Sequence, residues 1–273
     1  MVGGWISRGR CPGTENNQKN FTGDLYIPGL KEKELKIDIL AIFAHPDDEA
    51  YGPGGTLAKY ARGGYKVGLI TLTRGEAGSM GICKTLPPEE VARMRTEELK
   101  CAAKELNLAY LRMYSLPDKA LENYPAEEGI RIVKTEMLAL KPTVVITFHD
   151  KGISGHPDHI AVAQWTREAV KQLDSRPRLF FYGVSPSQAE KIKPYRSVIP
   201  FENGEITHII QTQDFFPYKL AAIRCHASQI ELWEKFQQIE GGYEYFARQE
   251  HFSQIYPPLS VSQPYSDLLE SPE

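Results

Sequence analysis

The feature that most constrains this chain is the apolar run 37–44, which empties abruptly into His45-Pro46-Asp47-Asp48-Glu49 and then Gly52-Pro53-Gly54-Gly55. A buried strand that ends in one imidazole and three carboxylates carries its charge where an open parallel sheet keeps its ligand crevice, at the carboxyl ends of its strands. Pro53 suits the first position of a helix, and Gly63-Gly64 its end. Strand, charged loop and helix form one α/β unit.

The unit then repeats. Periodicity predicts a strand over 65–73, followed by the glycine-bearing loop Arg74-Gly75-Glu76-Ala77-Gly78-Ser79-Met80-Gly81, a helix over 87–106 and a short strand over 109–113. A helix over 126–140 and a strand over 144–148 follow, and that strand empties into His149-Asp150 and then His156-Pro157-Asp158-His159 at the start of another helix. Alternating strands and helices imply an α/β fold with a mostly parallel sheet, so both charged loops emerge at one edge and converge.

Beyond residue 173 the pattern loosens. A strand over 178–184 is expected, then one or two within 197–213 around the turn Asn203-Gly204, a helix over 215–228 capped by Asp214, a helix over 232–239, and a surface tail. Residues 1–33 lack periodicity and read as an irregular arm. The expected organisation is one domain over 34–265, with core motifs in 36–170 and a C-terminal strand and helix extension, 178–265, shaping the substrate side.

Charge narrows the partners. Thirty-two basic against 35 acidic residues give a net charge of −3, with no basic footprint for nucleic acid and none for a membrane surface, so a small molecule is the expected partner. No window reaches the ~18–20 apolar residues of a membrane span, and the N-terminus lacks the apolar core of a signal peptide. A soluble, cytoplasmic protein is expected. Cys11, Cys83, Cys101 and Cys225 are widely spaced with no Cys-x-x-Cys pair, and read as reduced thiols.

Imidazole and carboxylate are mixed nitrogen and oxygen donors suited to zinc, and catalytic zinc sites commonly use three protein ligands and one open position. His45 and Asp48, at i and i+3 across a strand-to-helix turn, can face one point, and His159 at a helix start is the natural third donor. Asp47 is then left beside the centre, where a carboxylate can act as general base. Either motif alone reads as an ordinary helix cap; the recurrence of His-Pro-Asp after two separate apolar strands favours a shared centre.

The run Ala44-His45-Pro46-Asp47-Asp48-Glu49, with Gly54-Gly55-Thr56-Leu57, Thr73-Arg74-Gly75-Glu76 and His156-Pro157-Asp158-His159, resembles the PIG-L/LmbE-like family of zinc-dependent deacetylases. The resemblance spans roughly 36–170, with a weaker similarity at His226-Ala227-Ser228-Gln229. It implies a Rossmann-like fold, with helices on both faces of the sheet, and removal of acetyl from N-acetylglucosamine-type sugars joined to inositol, malate or lipid. By position it implies zinc on His45, Asp48 and His159, Asp47 as base, His156 stabilising the oxyanion, Asp158 orienting His156 or a ligand, and Arg74 touching substrate. Glu49, grouped with the substrate side, either supports the site or favours the helix N-terminus. Homo-oligomerisation is an open option among such proteins.

Several local readings accompany it. Ser154 stands where some relatives have an aromatic hydroxyl, so an oxyanion donor of that kind would have to come from elsewhere. Arg95 and Glu98 read as a structural ion pair along one helix, and His149, His208, His226, Gln229 and His251 as ordinary polar groups. The same ligands would also serve another metal-dependent amidase, a phosphoesterase or a noncatalytic binding module. A dinucleotide site is disfavoured, because Gly-x-Gly-x-x-Gly is absent and three carboxylates would repel a pyrophosphate.

Overall fold

The computed structural model describes residues 25–26, 36–78, 86–239 and 241–270. In chain order the elements are β1 (Leu25–Tyr26), β2 (Ile39–Phe43), α1 (Asp48–Tyr51), α2 (Gly54–Arg62), β3 (Val67–Thr73), α3 (Pro88–Glu105), β4 (Tyr110–Leu116), α4 (Ala126–Leu140), β5 (Val144–Phe148) and α5 (Gly152–Gly155). Then come α6 (Pro157–Lys171), β6 (Arg178–Gly183), α7 (Pro186–Ile192), β7 (His208–Gln211), α8 (Phe216–Cys225), α9 (Ile230–Gln237), α10 (Gly242–Phe246) and β8 (Gln249–Tyr256).

The strands form one sheet in the order β1-β4-β3-β2-β5-β6-β8-β7. The five strands from β4 to β6 are parallel, whereas β1, β8 and β7 each pair antiparallel with a neighbour. Strand order reverses between β2 and β5, so successive right-handed crossovers place α2 and α3 on one face and α4 and α6 on the other. Accordingly α4 packs on α6, while α3 and α2 pack on α8. The reversal opens a crevice at the carboxyl ends of β2 and β5, and the two His-Pro-Asp motifs follow those two strands.

Every residue of β2, β3 and β5 is buried, as expected for strands covered on both faces. Side chains such as Leu40, Ile42, Phe43, Leu69 and Ile70 lie wholly out of solvent, each contributing roughly 1.5–3 kcal/mol of apolar burial. This mass holds the strand ends rigid, and the site stands on them.

Where the chain departs from expectation, the causes are local. Of the strands expected in 197–213 only β7 forms, and 203–204 is a plain turn. Asp214 caps nothing: it lies in a 3-10 turn, and α8 starts from Phe215 without a side-chain cap. The tail is not wholly surface, since β8 inserts between β6 and β7, and Leu268 is fully buried. The reading of all four cysteines as free thiols is corrected for two of them, because α3 and α8 pack side by side and bring Cys101 and Cys225 into a disulfide. Cys11 and Cys83, most of the arm 1–33, and Ser79-Met80-Gly81 lie outside the described residues.

Candidate metal centre

The chain turns sharply at the end of β2. Asp47 adopts φ 105°, unusual for a residue with a side chain, and the strain is held by its own N–H donating to Glu49 Oε2 at 3.0 Å. The turn aims His45 and Asp48 at one point. From the other side, α6 begins at Pro157 and presents His159, its ring stacked flat on Phe148 at 3.9 Å.

Four donor atoms from three side chains converge there. His45 Nδ1 lies 3.2 Å from His159 Nε2, Asp48 Oδ1 lies 3.3 Å from His159 Nε2, and Asp48 Oδ2 lies 3.4 Å from His45 Nδ1. Ligands 2.0–2.1 Å from a tetrahedral ion stand about 3.3 Å apart, so this triangle has the size a zinc-like cation requires. The remaining ring nitrogens fix the tautomers. His45 Nε2 faces Asp158 Oδ2 at 3.0 Å and Asp118 Oδ1 at 3.2 Å, and His159 Nδ1 faces the Gly152 carbonyl at 3.2 Å. With a proton of each ring drawn outward, His45 Nδ1, His159 Nε2 and the Asp48 carboxylate face one another, and either a cation between them or a further proton on His45 would relieve their mutual repulsion.

Asp158 and Asp118 are supports. Asp158 is fully buried and accepts the backbone N–H groups of Lys119 and Leu121, and Asp118 accepts that of Ala77. Both therefore stand behind His45, and Asp158 touches both of its expected partners, His45 through its carboxylate and His156 through its backbone N–H. Burial works to lower the His45 pKa, but the carboxylates of Asp118, Asp158 and Asp48 raise it well above the ordinary value. The Asp48 carboxyl, against its burial, is held well below the usual range by His159 and His45.

Asp47 stays outside the triangle. Its Oδ2 accepts from Arg95 Nη2 at 2.9 Å, and Arg95 also donates to the carbonyls of Pro46 and Gly75. A Cβ on Gly75 would sit 2.5 Å from Arg95 Nη1, so glycine in that loop is what admits the guanidinium. Burial pushes the Asp47 carboxyl up to about 6, opposed by Arg95 and assisted by the Asp48 charge. His156 edges the cleft with Nδ1 accepting the Asp158 N–H, which leaves its proton on Nε2; burial and the neighbouring His159 and His45 push it down to about 4.

Other expected residues fall elsewhere. The Arg95–Glu98 pair does not form: Arg95 turns to Asp47, while Glu98 accepts from the Ser228 N–H and hydroxyl at 2.7 Å. Arg74 is ion-paired with Glu89 at 3.0 Å and is not among the residues lining the cleft. Glu49 is fully buried beneath Asp47, its other oxygen 2.6 Å from His226 Nε2, so it braces the turn and presents nothing to a substrate. His226 is thereby tied to the site's support, and Gln229 lines the cleft. His149 is buried away from the triangle, its edge against Phe201. Asp118 and Lys119, after β4, escaped the sequence reading because Pro117-Asp118-Lys119 looks like any turn; its only signal was its place at a strand's carboxyl end.

The open cleft over the triangle holds about 1160 Å³ and is walled by Asp47, Arg95, Asp118, His156 and, at its rim, Tyr195, Arg196 and Lys235. A strand-end cluster of two histidines and an aspartate, with a second carboxylate and a third imidazole beside it, is the equipment of a metal-dependent hydrolase. Residues 40–170 match the family described as PIG-L, GlcNAc-PI de-N-acetylase. The chain is 32% identical over 194 residues to a probable N-acetyl-alpha-D-glucosaminyl L-malate deacetylase 2 of Bacillus anthracis, covering 70% of this chain and 80% of that one. A 1D-myo-inositol 2-acetamido-2-deoxy-alpha-D-glucopyranoside deacetylase of Kineococcus radiotolerans is 28% identical, with 76% and 72% covered. In structure it resembles the conserved protein TT1542 of Thermus thermophilus, with TM-score 0.61, 26% identity and 84% and 100% coverage. The chain belongs to the PIG-L family.

Proposed function

We propose that this chain is a zinc-dependent hydrolase that removes the N-acetyl group from an N-acetylglucosamine-type sugar or glycoconjugate. The observation that carries the reading is the 3.2–3.4 Å triangle of His45 Nδ1, Asp48 and His159 Nε2, with Asp47 outside it and held by Arg95. A zinc ion held there supplies Lewis acidity, polarising an amide carbonyl and lowering the pKa of water. The relatives' names give the substrate class.

The chain's own groups divide the remaining work. Asp47, fixed through Oδ2 by Arg95, keeps Oδ1 for the proton of the attacking water, and a carboxyl near 6 is ionised at neutral pH yet basic enough to take it. The same carboxyl then returns the proton to the departing amine. His156, neutral and with Nε2–H exposed to the cleft, donates a hydrogen bond to the developing oxyanion without needing to be charged. Arg95, Asp118 and Asp158 hold these groups in register.

Acetate release from a panel of N-acetylglucosamine conjugates, run beside metal analysis, tests the reading. Wild-type protein with zinc should release acetate and Asp47→Asn should hold zinc and release almost none. Zinc-loaded wild type that is inert across the panel would redirect the assignment to a different metal-dependent hydrolysis. Among the described residues no helix is long and apolar enough to cross a membrane. A cytoplasmic setting follows the sequence reading, and the Cys101–Cys225 bond weighs toward a more oxidising one.

A further inference from the structure

A second chamber meets the cleft at the donor triangle. It shares Asp48, Tyr51, His159 and Arg196 with the polar cleft but touches neither Asp47 nor Arg95 nor His156. Its walls are chiefly apolar: Phe148, Ile153, Val184, Ile192, Val198 and Phe236. The polar groups that do reach it are largely engaged. Lys219 is bound to Glu250 at 2.6 Å, Tyr243 donates to the Tyr51 carbonyl at 2.7 Å, and Gln188 belongs to the capping box of α7. Together with the open space at its mouth, the chamber spans about 810 Å³.

The division between the chambers orients an amide. The leaving nitrogen must take its proton from Asp47, so the amine half of the substrate lies in the polar cleft. The acyl half extends from the carbonyl carbon to the opposite side, past Asp48 and His159, and there it meets the apolar chamber. An acetyl methyl, about the size of a water molecule at roughly 30 Å³, is too small to touch all six of those apolar side chains at once. Backbone strain is also invested at the entrance. Ile153 holds φ 63°, a costly conformation for a β-branched residue, and its carbonyl accepts the Ile199 N–H at 2.7 Å, which anchors the loop carrying Val198.

We propose, resting on the amidase reading above, that this chamber is an acyl-chain subsite and that the chain hydrolyses amino-sugar amides of apolar acyl groups longer than acetyl. Water adds to the carbonyl carbon, the C–N bond breaks, the acyl group leaves as its carboxylate, and both protons of the water pass to the nitrogen, the first through Asp47, so that the sugar leaves in its ammonium form. Filling the chamber strengthens binding by roughly three- to fourfold per buried methylene.

The test is a series of methyl glucosaminides bearing N-acetyl, N-butanoyl, N-hexanoyl and N-octanoyl groups, with released amine measured on the zinc-loaded protein. A kcat/KM for N-hexanoyl at or above that for N-acetyl is expected, and Val198→Trp, at a half-buried loop position, should lower the hexanoyl-to-acetyl ratio at least tenfold. Independently of turnover and of any variant's folding, metal-free wild type titrated calorimetrically should bind octanoate at least tenfold more tightly than butanoate. Turnover of N-acetyl with hexanoyl below one hundredth of it, or equal binding of the two carboxylates, overturns the acyl subsite and leaves the deacetylase reading intact. An unchanged ratio in folded Val198→Trp also overturns it. No amine from any member, acetyl included, overturns the amidase reading itself.

Discussion

Arg95, buried in the middle of α3, reaches across to Asp47 and binds its Oδ2 at 2.9 Å, so the carboxylate beside the donor triangle is steered by a residue 48 positions away in sequence. The guanidinium also grips the Pro46 and Gly75 carbonyls, joining the loops after β2 and β3. Replacing it by glutamine keeps bulk and some hydrogen bonding but removes the fixed charge. Arg95→Gln should retain metal and lower kcat by roughly 10²–10³-fold, within the range general-base catalysis contributes, as read by steady-state rates alongside metal content.

Asp158 supports a ligand from behind. Asp158→Asn leaves the size unchanged but weakens the hold on His45 Nε2, and metal affinity should fall roughly 10–100-fold. Competition with a graded series of chelators measures this directly. An affinity equal to wild type would mean that Asp118 alone orients the ring.

Acid should loosen the fold through two histidines remote from the site. His208 and His251 are buried, and burial pushes both down to about 4, with only partial relief from Asp267 and Glu250 respectively. One ring nitrogen of each, His208 Nε2 and His251 Nδ1, has no hydrogen-bond partner among the described residues. Their folded pKa lies below the unfolded value near 6.5, so the unfolded chain takes up protons first. Their contribution is therefore complete above pH 6.5 and is lost as pH falls toward 4, by up to roughly 3 kcal/mol apiece. Urea midpoints at pH 7.5 and 5.0 should differ accordingly, and His251→Gln should narrow the gap.

The Cys101–Cys225 bond closes a sequence separation of 124 residues and fastens α3 to the end of α8, next to His226 and Ser228. Opening it should cost about 2–4 kcal/mol and lower the melting temperature. Melts with and without reductant, together with peptide mapping of the unreduced protein, decide the matter; recovery of both cysteines as free thiols in native protein would count against the bond.

Much of the centre was legible because its residues follow apolar strands in one register: once 37–44 and 144–148 are parallel neighbours, His45, Asp48 and His159 have to meet. Asp118 was hidden by an ordinary turn sequence, and Arg95 by a partner at i+3 that looked sufficient until the fold sent Glu98 to Ser228. β8 was missed because it buries polar residues, Glu250, His251, Ser253 and Gln254, where alternation leads one to expect apolar ones. Glu250 meets Lys219 and the first N–H groups of α2, and the Gln254 amide nitrogen meets the Pro257 carbonyl, only after the sheet has formed, and no local pattern encodes those contacts.

Glu250 ties the far edge of the sheet to the first motif. From β8 it accepts the N–H groups of Gly55 and Thr56 at 3.0 and 2.7 Å, seating the first turn of α2, and a Cβ on Gly55 would collide with Thr212 at 2.7 Å. The helix that follows the first motif is thus braced by β8, a strand distant from it in sequence. The loop of the first motif leans on a carboxylate 195 residues further along the chain, so its shape depends on closure of the sheet at the far edge as much as on its own sequence.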